Sequence, residues 1–189
     1  LLYFGGNAEA VVLNAGDFLT AFPFHTIYLL NYRGYGGSSG QPTEEGIYSD
    51  ALSLFDKVQE KQAIISVMGR SLGSGPATYL ASKRSVEKMV LVSPYDSIKN
   101  VAQNKFPIYP MFLLLKDKYD SIGRVKEIQA KTIILMAEND EVIPKKHSMR
   151  LISEFPPEQI TVKTISKTGH NDISNKMEYY DHLRSFLNN

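Results

Sequence analysis

Serine, histidine and aspartate can together make an activated nucleophile, and one serine in this chain has the setting for it. Gly69-Arg70-Ser71-Leu72-Gly73 stands between an apolar, β-branched run, Ala63 to Met68, and a segment of helical character from Leu72 to Ser82. A strand, a sharp turn and a helix around G-x-S-x-G is the nucleophile elbow. The turn is tight and the serine strained, so side chains at Gly69 and Gly73 would collide with the neighbouring strand and helix. The helix N-terminus aims free N–H groups at the serine, where they favour developing negative charge. Gly and Ser are common in loops, so the motif is judged by its partners.

An activated serine needs a base within hydrogen-bond reach and a carboxylate to orient that base. With an elbow of this kind the chain order runs serine, acid, histidine. Of the four histidines, His25 precedes a strand, on the wrong side of the sheet. His147 and His182 fall on expected helices, where a histidine is more often a surface residue. His170 alone follows a strand, in the loop Lys167-Thr168-Gly169-His170-Asn171-Asp172, where Gly169 gives the backbone freedom to aim the imidazole inwards. For the acid, Asp140 follows the strand Thr132 to Ala137 within Glu138-Asn139-Asp140-Glu141. Turn chemistry alone would also explain Asn-Asp there. Glu138 and Glu141 compete locally, and Asp96, after the strand Lys88 to Val92, competes from further away.

Attack on a carbonyl also needs donors for the oxyanion. One is the N–H of Leu72, directly after the serine. The other is expected from Gly5-Gly6-Asn7-Ala8, after the first strand, with the amide of Asn7 preferred over its side chain. Gly5 and Gly6 allow backbone to approach a substrate closely and are expected to border it.

The elements that must position these groups alternate along the chain. Strands are expected at Leu1 to Phe4, Thr26 to Tyr32, Ala63 to Met68, Lys88 to Val92, Thr132 to Ala137 and Ile160 to Ile165. Helices are expected at Glu9 to Phe22, Glu44 to Gln62, after the elbow, after Pro144, and at Asn175 to Leu187. In the second of these, Ile47, Ala51, Leu54, Phe55 and Val58 recur near helical spacing. Such alternation implies an α/β fold, a mostly parallel sheet with helices on both faces. Ligands bind beyond the carboxyl ends of such strands, and the elbow stands at such an end.

Tyr95 to Lys131 breaks the rhythm. Its run Phe106-Pro107-Ile108-Tyr109-Pro110-Met111-Phe112-Leu113-Leu114-Leu115 reads as a short helical cap inserted into a single domain covering residues 1–189. Phe106, Met111 and Phe112 are the expected pocket residues beneath it. Contact of its apolar face with a membrane and a place in the core are the other readings.

Composition narrows the classes. A chain of 189 residues suits one domain with a sizeable core. A net charge of +1 gives no field that would favour nucleic acid. With no cysteine there is no disulfide, thiolate metal site or cysteine nucleophile. No run reaches the roughly 18 apolar residues that cross a bilayer. The chain opens on an apolar strand with no Met before it, so a piece of a longer chain is expected, and any membrane anchor would lie upstream.

Together these residues resemble the α/β-hydrolase superfamily, and within it the α/β-hydrolase domain-containing proteins, a group that includes serine esterases and protein depalmitoylases. The likeness rests on Tyr3 to Glu9, Asn31 to Glu44, Gly69 to Gly75, Ser93 to Ser97, Asp140 to Pro144 and Gly169 to Asp172. It implies Ser71 as nucleophile, Asp140 as acid, His170 as base, and the amides of Asn7 and Leu72 as the oxyanion hole. It also implies no metal or organic cofactor, and a small or lipid-like acyl substrate or an acylated protein. Two departures stand out. Gly5 replaces the usual His, and the group's first two strands are absent.

The expected reaction is acyl transfer to water. An aminopeptidase would need cap carboxylates, for which Asp117 and Asp120 are available. A non-catalytic binding protein of the same fold is the rival from another class. Gly34 to Gly40 is a poor phosphate loop, since no helix follows directly and no P-loop lysine is present.

Overall fold

The computed structural model describes residues 1–188. Six strands form one sheet: β1 (Leu2–Phe4), β2 (Tyr28–Leu30), β3 (Val67–Arg70), β4 (Lys88–Val92), β5 (Lys131–Ala137) and β6 (Ile160–Ile165). The order is β2-β1-β3-β4-β5-β6, and every pair is parallel. Seven α-helices accompany it: α1 (Ala15–Ala21), α2 (Glu44–Gln59), α3 (Ser74–Lys83), α4 (Ile98–Lys105), α5 (Met111–Leu114), α6 (Lys145–Ile152) and α7 (Met177–Asn188).

Strand side chains alternate between two faces, and the sequence supplies apolar groups for both. Leu2, Phe4, Met89, Leu91 and Ile134 face one core, with Ile47, Ala51 and Phe55 of α2, Leu80 of α3 and Leu151 of α6. Tyr3, Met68, Val90, Val92, Ile133 and Leu135 face the other, with Phe18 of α1 and Leu183 and Leu187 of α7. The central strands are apolar on both faces because helices cover both. Helix α2 begins where the sequence supplies a cap. The Thr43 hydroxyl accepts from the Gly46 N–H at 3.2 Å, with Glu44 and Glu45 in the first turn.

Several expected elements are shorter than their apolar runs. Strand β1 offers only three residues, with Leu2 opposite both Tyr28 and Val67. Strand β3 begins at Val67, so Ala63 to Ser66, expected as strand, lies before it. The expected helix from Glu9 to Phe22 is a 3₁₀ turn, Val11–Asn14, followed by α1. The Glu9 carboxylate is drawn back onto the Gly6 N–H at 2.6 Å and does not begin a helix.

The segment after β4 divides in two. Helix α4 is capped by the Ser97 hydroxyl, which accepts from the Asn100 N–H at 3.1 Å. No residue of α4 or α5 is buried. From Tyr119 onward the chain returns to the body, where Val125, Ile128 and Ala130 join the core.

Candidate active site

The elbow is built by close packing. A Cβ on Gly69 would stand 2.3 Å from the Gly73 carbonyl oxygen, and one on Gly73 would stand 2.0 Å from the Phe4 carbonyl oxygen. Only hydrogen fits at either position. Between them Ser71 is held at φ +50°, a left-handed conformation that costs a non-glycine residue about 1–3 kcal/mol. A 3₁₀ turn, Ser71–Gly73, leads into α3, and the Ser74 hydroxyl donates to the Ser71 carbonyl at 2.7 Å. The Leu72 N–H opens that turn and has no helical acceptor.

Ser71, His170 and Asp140 form one hydrogen-bonded row. The Asp140 carboxylate can only accept, so the His170 Nδ1–H donates to it, at 2.9 Å to Oδ1 and 2.8 Å to Oδ2. That tautomer leaves Nε2 as an acceptor, and the Ser71 hydroxyl donates to it at 2.8 Å. The His170 and Asp140 side chains are only 8% and 6% exposed. Burial pushes the Asp140 pKa up, but hydrogen bonds from His170 and from the Ile143 N–H outweigh it. The net shift is downward, and the group remains a carboxylate at neutral pH.

Strand order explains the row. The loops after β3, β5 and β6 carry its three members, so the β6 loop must reach back across the ends of β5 and β4. It is tied on the way: Asn139 N–H donates to the Thr168 carbonyl at 2.9 Å, and Lys167 N–H to Glu138 at 2.7 Å. The backbone freedom expected at Gly169 is used instead at Lys167, which has φ +55°, because the turn is made two residues earlier.

The competing acids lie elsewhere. Glu138 receives Lys167, and Glu141 is exposed. Asp96 is fully buried in a separate cluster, accepting from the Ser97 N–H at 2.8 Å and Asn100 Nδ2 at 2.9 Å and lying 2.9 Å from His147 Nδ1. His147, expected at the surface, is 1% exposed. It faces inward from α6, and the neighbouring Ser148 hydroxyl donates to the Pro94 carbonyl at 2.6 Å. This cluster pins the helix that follows the Asp140 loop to the loop after β4. His182 sits beside Glu178 on the exposed side of α7, and His25 is remote from the row.

The β1 loop closes the site on its other flank. Gly6 lies against the nucleophile, since a Cβ there would stand 3.7 Å from that of Ser71. The Gly5 carbonyl accepts from the Tyr32 hydroxyl at 2.9 Å, and Asn7 Oδ1 accepts from the Tyr35 hydroxyl at 2.6 Å. The Asn7 side chain is thus engaged, while its N–H donates no hydrogen bond among the described residues.

Two residues given no separate role by the sequence reading organise this flank. Glu9 accepts from Tyr3 at 2.6 Å, the Gly6 N–H at 2.6 Å, Asn14 at 2.7 Å and Arg70 at 3.2 Å. Burial raises the Glu9 pKa, and these donors outweigh it, so the net shift is downward. Arg70 spans from Glu9 to the His170 carbonyl, 3.2 Å away. The available signal was spacing. Glu9 stands three residues after Gly6, where a carboxylate can reach back to a backbone N–H.

The expected pocket residues beneath the cap are placed differently. Phe106 and Phe112 are 46% and 57% exposed, and Met111 is half-buried. Their segment turns its apolar side chains outward. Two other cavities border the loops: one of about 700 Å³ beside Ala8, Glu9, Val11 and Tyr35, and one of about 510 Å³ beside His170, Asn139 and Val142. Among the described residues no group of three or more His, Cys, Asp or Glu converges to hold a metal.

Comparison with known proteins gives sequence relatives and fold neighbours. No family model matches the chain. An uncharacterized protein of Mycobacterium tuberculosis is 32% identical over 201 residues, covering 97% of this chain and 71% of that protein. The alpha/beta hydrolase domain-containing protein aho-3 of Caenorhabditis elegans is 30% identical, covering 99% of this chain and 57% of its own length. A meta-cleavage product hydrolase of Pseudomonas fluorescens superposes with a TM-score of 0.78 at 14% identity, covering 99% of this chain and 89% of its own.

Proposed function

We propose that this chain, whose parallel six-stranded sheet has the α/β-hydrolase fold, is a serine hydrolase cleaving acyl esters or thioesters through an acyl-enzyme. The observation that carries this reading is the unbroken row from Ser71 Oγ through His170 to Asp140.

In the first half-reaction His170 Nε2 takes the Ser71 proton as Oγ attacks the carbonyl carbon. Asp140 holds the imidazole in its tautomer and stabilises the imidazolium. The N–H groups of Leu72 and Asn7 receive the oxyanion, a role in which one donor typically supplies roughly 3 kcal/mol. Collapse expels the alcohol or thiol, which takes the proton from His170. Water then attacks the acyl-enzyme with His170 again as base, and the carboxylic acid leaves. Lipid-like acyl groups, free or carried on a protein, are the proposed substrates.

An aminopeptidase reading gains no support. Asp117 accepts the Glu44 N–H at the start of α2, at 2.8 Å, and Asp120 accepts the Gly123 N–H in a local turn, so both candidate carboxylates are engaged by backbone donors.

A fluorophosphonate probe tests the proposal. An adduct mapped to Ser71, absent in Ser71→Ala, is expected, along with hydrolysis of p-nitrophenyl esters or a thioester by the labelled form's parent only. A folded protein that takes no label would favour a binding role.

A further inference from the structure

Between Lys105 and Lys118 the backbone is tied to α4 and to the start of α2, while most of the large apolar side chains stay exposed. Phe106, Ile108, Tyr109, Phe112, Leu113 and Leu114 are 46%, 91%, 58%, 57%, 71% and 61% exposed. Single exposed apolar residues are ordinary, but six large ones within nine positions make a contact surface. Pro107 and Pro110 break the run, and α5 is a single turn. Among the described residues no helix is long and apolar enough to cross a membrane, so this patch suits a shallow contact.

Its rim is mostly basic. From Lys99 to Lys118 there are four lysines and one acid, a net +3, while the whole chain carries +1. The acid, Asp117, is turned onto the Glu44 N–H. Lys145 and Lys146 at the start of α6 add to the same side, since Lys146 Nζ donates to Asn104 at the end of α4. Apolar side chains ringed by lysines match the boundary between headgroups and acyl chains of an anionic bilayer. A second copy of the chain fits less well, because a two-fold contact would set one lysine rim against the other.

We infer that the Lys105–Lys118 surface docks this protein on anionic lipid bilayers, with Phe106 to Leu114 in the interface and the lysines on the headgroups. The segment leaves the end of β4, which lies between β3 and β5, the strands leading to Ser71 and Asp140. Docking would therefore set the same sheet end towards the lipid. That consequence rests on the proposed hydrolase function, whereas the docking does not.

Vesicle sedimentation tests it, using phosphatidylcholine alone and with about 30 mol% phosphatidylserine. Binding is expected only to the phosphatidylserine vesicles, weakened by salt and unchanged in Ser71→Ala. Ile108→Asp combined with Leu113→Asp should lower the partition coefficient about tenfold or more, and Lys116→Glu with Lys118→Glu should lower it as well. The melting temperature and turnover of a soluble ester without lipid should stay at wild-type values in the aspartate pair. Three results would overturn the inference: no binding to either vesicle, equal binding to both, or binding by the aspartate pair equal to wild type. Self-association in sedimentation velocity that Ile108→Asp abolishes would overturn it too, assigning the face to a second copy. Ser71 labelling is read separately, so loss of docking leaves the catalytic proposal standing, and the reverse.

Discussion

Arg70 joins a loop 61 residues before it to one 100 residues after it, donating to the His170 backbone carbonyl at 3.2 Å while its other terminal nitrogen meets Glu9 at 3.2 Å. The guanidinium thereby links the β1 loop, the elbow and the histidine loop. Both side chains are mostly shielded, at 18% and 13% exposed, so the contact is not diluted as a surface pair would be. Arg70→Met should lower kcat by about 10- to 100-fold with little change in KM, as expected when catalytic groups lose alignment. Arg70→Lys should recover part of that loss. Steady-state kinetics on a soluble ester decides it, and a change confined to KM would count against alignment.

The two buried aspartates should separate cleanly. Asp140→Asn should reduce kcat by about 10²- to 10⁴-fold with folding retained, since the imidazole loses its orienting carboxylate. Asp96→Asn should leave kcat within a few-fold. Asp96→Ala leaves the buried His147 without its partner and removes the acceptor of Asn100, and should cost about 3 kcal/mol in urea unfolding. Equal kinetic losses at both positions would show that Asp96 takes part in the chemistry.

Gly73→Ala must push a methyl into the Phe4 carbonyl, 2.0 Å away. Backbone cannot yield as a side-chain tip does, so a loss of about 3 kcal/mol or more is expected, along with loss of Ser71 labelling. Gly37→Ala is the control, because nothing lies within 4 Å of the added carbon. Melting curves of the two variants test the difference.

Acid sensitivity should come partly from Glu9 and Asp140. Both are held below their ordinary values of 4.5 and 3.8 in the folded chain. The folded state therefore favours their charged forms. The stability this confers is full above the ordinary values and is lost as pH falls through them towards the folded ones. Unfolding free energy should drop below about pH 4.5, and the drop should be smaller in Glu9→Gln and in Asp140→Asn. Denaturant titrations at several pH values measure it.

The three members of the row could be named from sequence because each follows a strand in the expected order. Strands β4 and β6 have the limits their apolar runs suggest. Other features depend on contacts between distant segments. Ala63 to Ser66 looks like strand, yet the β3 ladder with β1 and β4 begins at Val67. His147 has the look of a surface residue, and its burial is set by Asp96, 51 positions away. Arg70 occupies the variable position of G-x-S, and its task is fixed by a glutamate and a carbonyl from other loops. The outward turn of Phe106 and Phe112 could not be read from a run that fits a cap over a pocket, a membrane contact or a core helix alike.

Ser71 sits in a backbone shape it would leave if its neighbours relaxed. The same packing that forces it there, through Gly69 and Gly73, must stay tight for the hydroxyl to keep its aim. Modest warming that loosens this corner need not disturb the six-stranded sheet. Catalytic competence should therefore fade several degrees before the ellipticity does, and return on cooling.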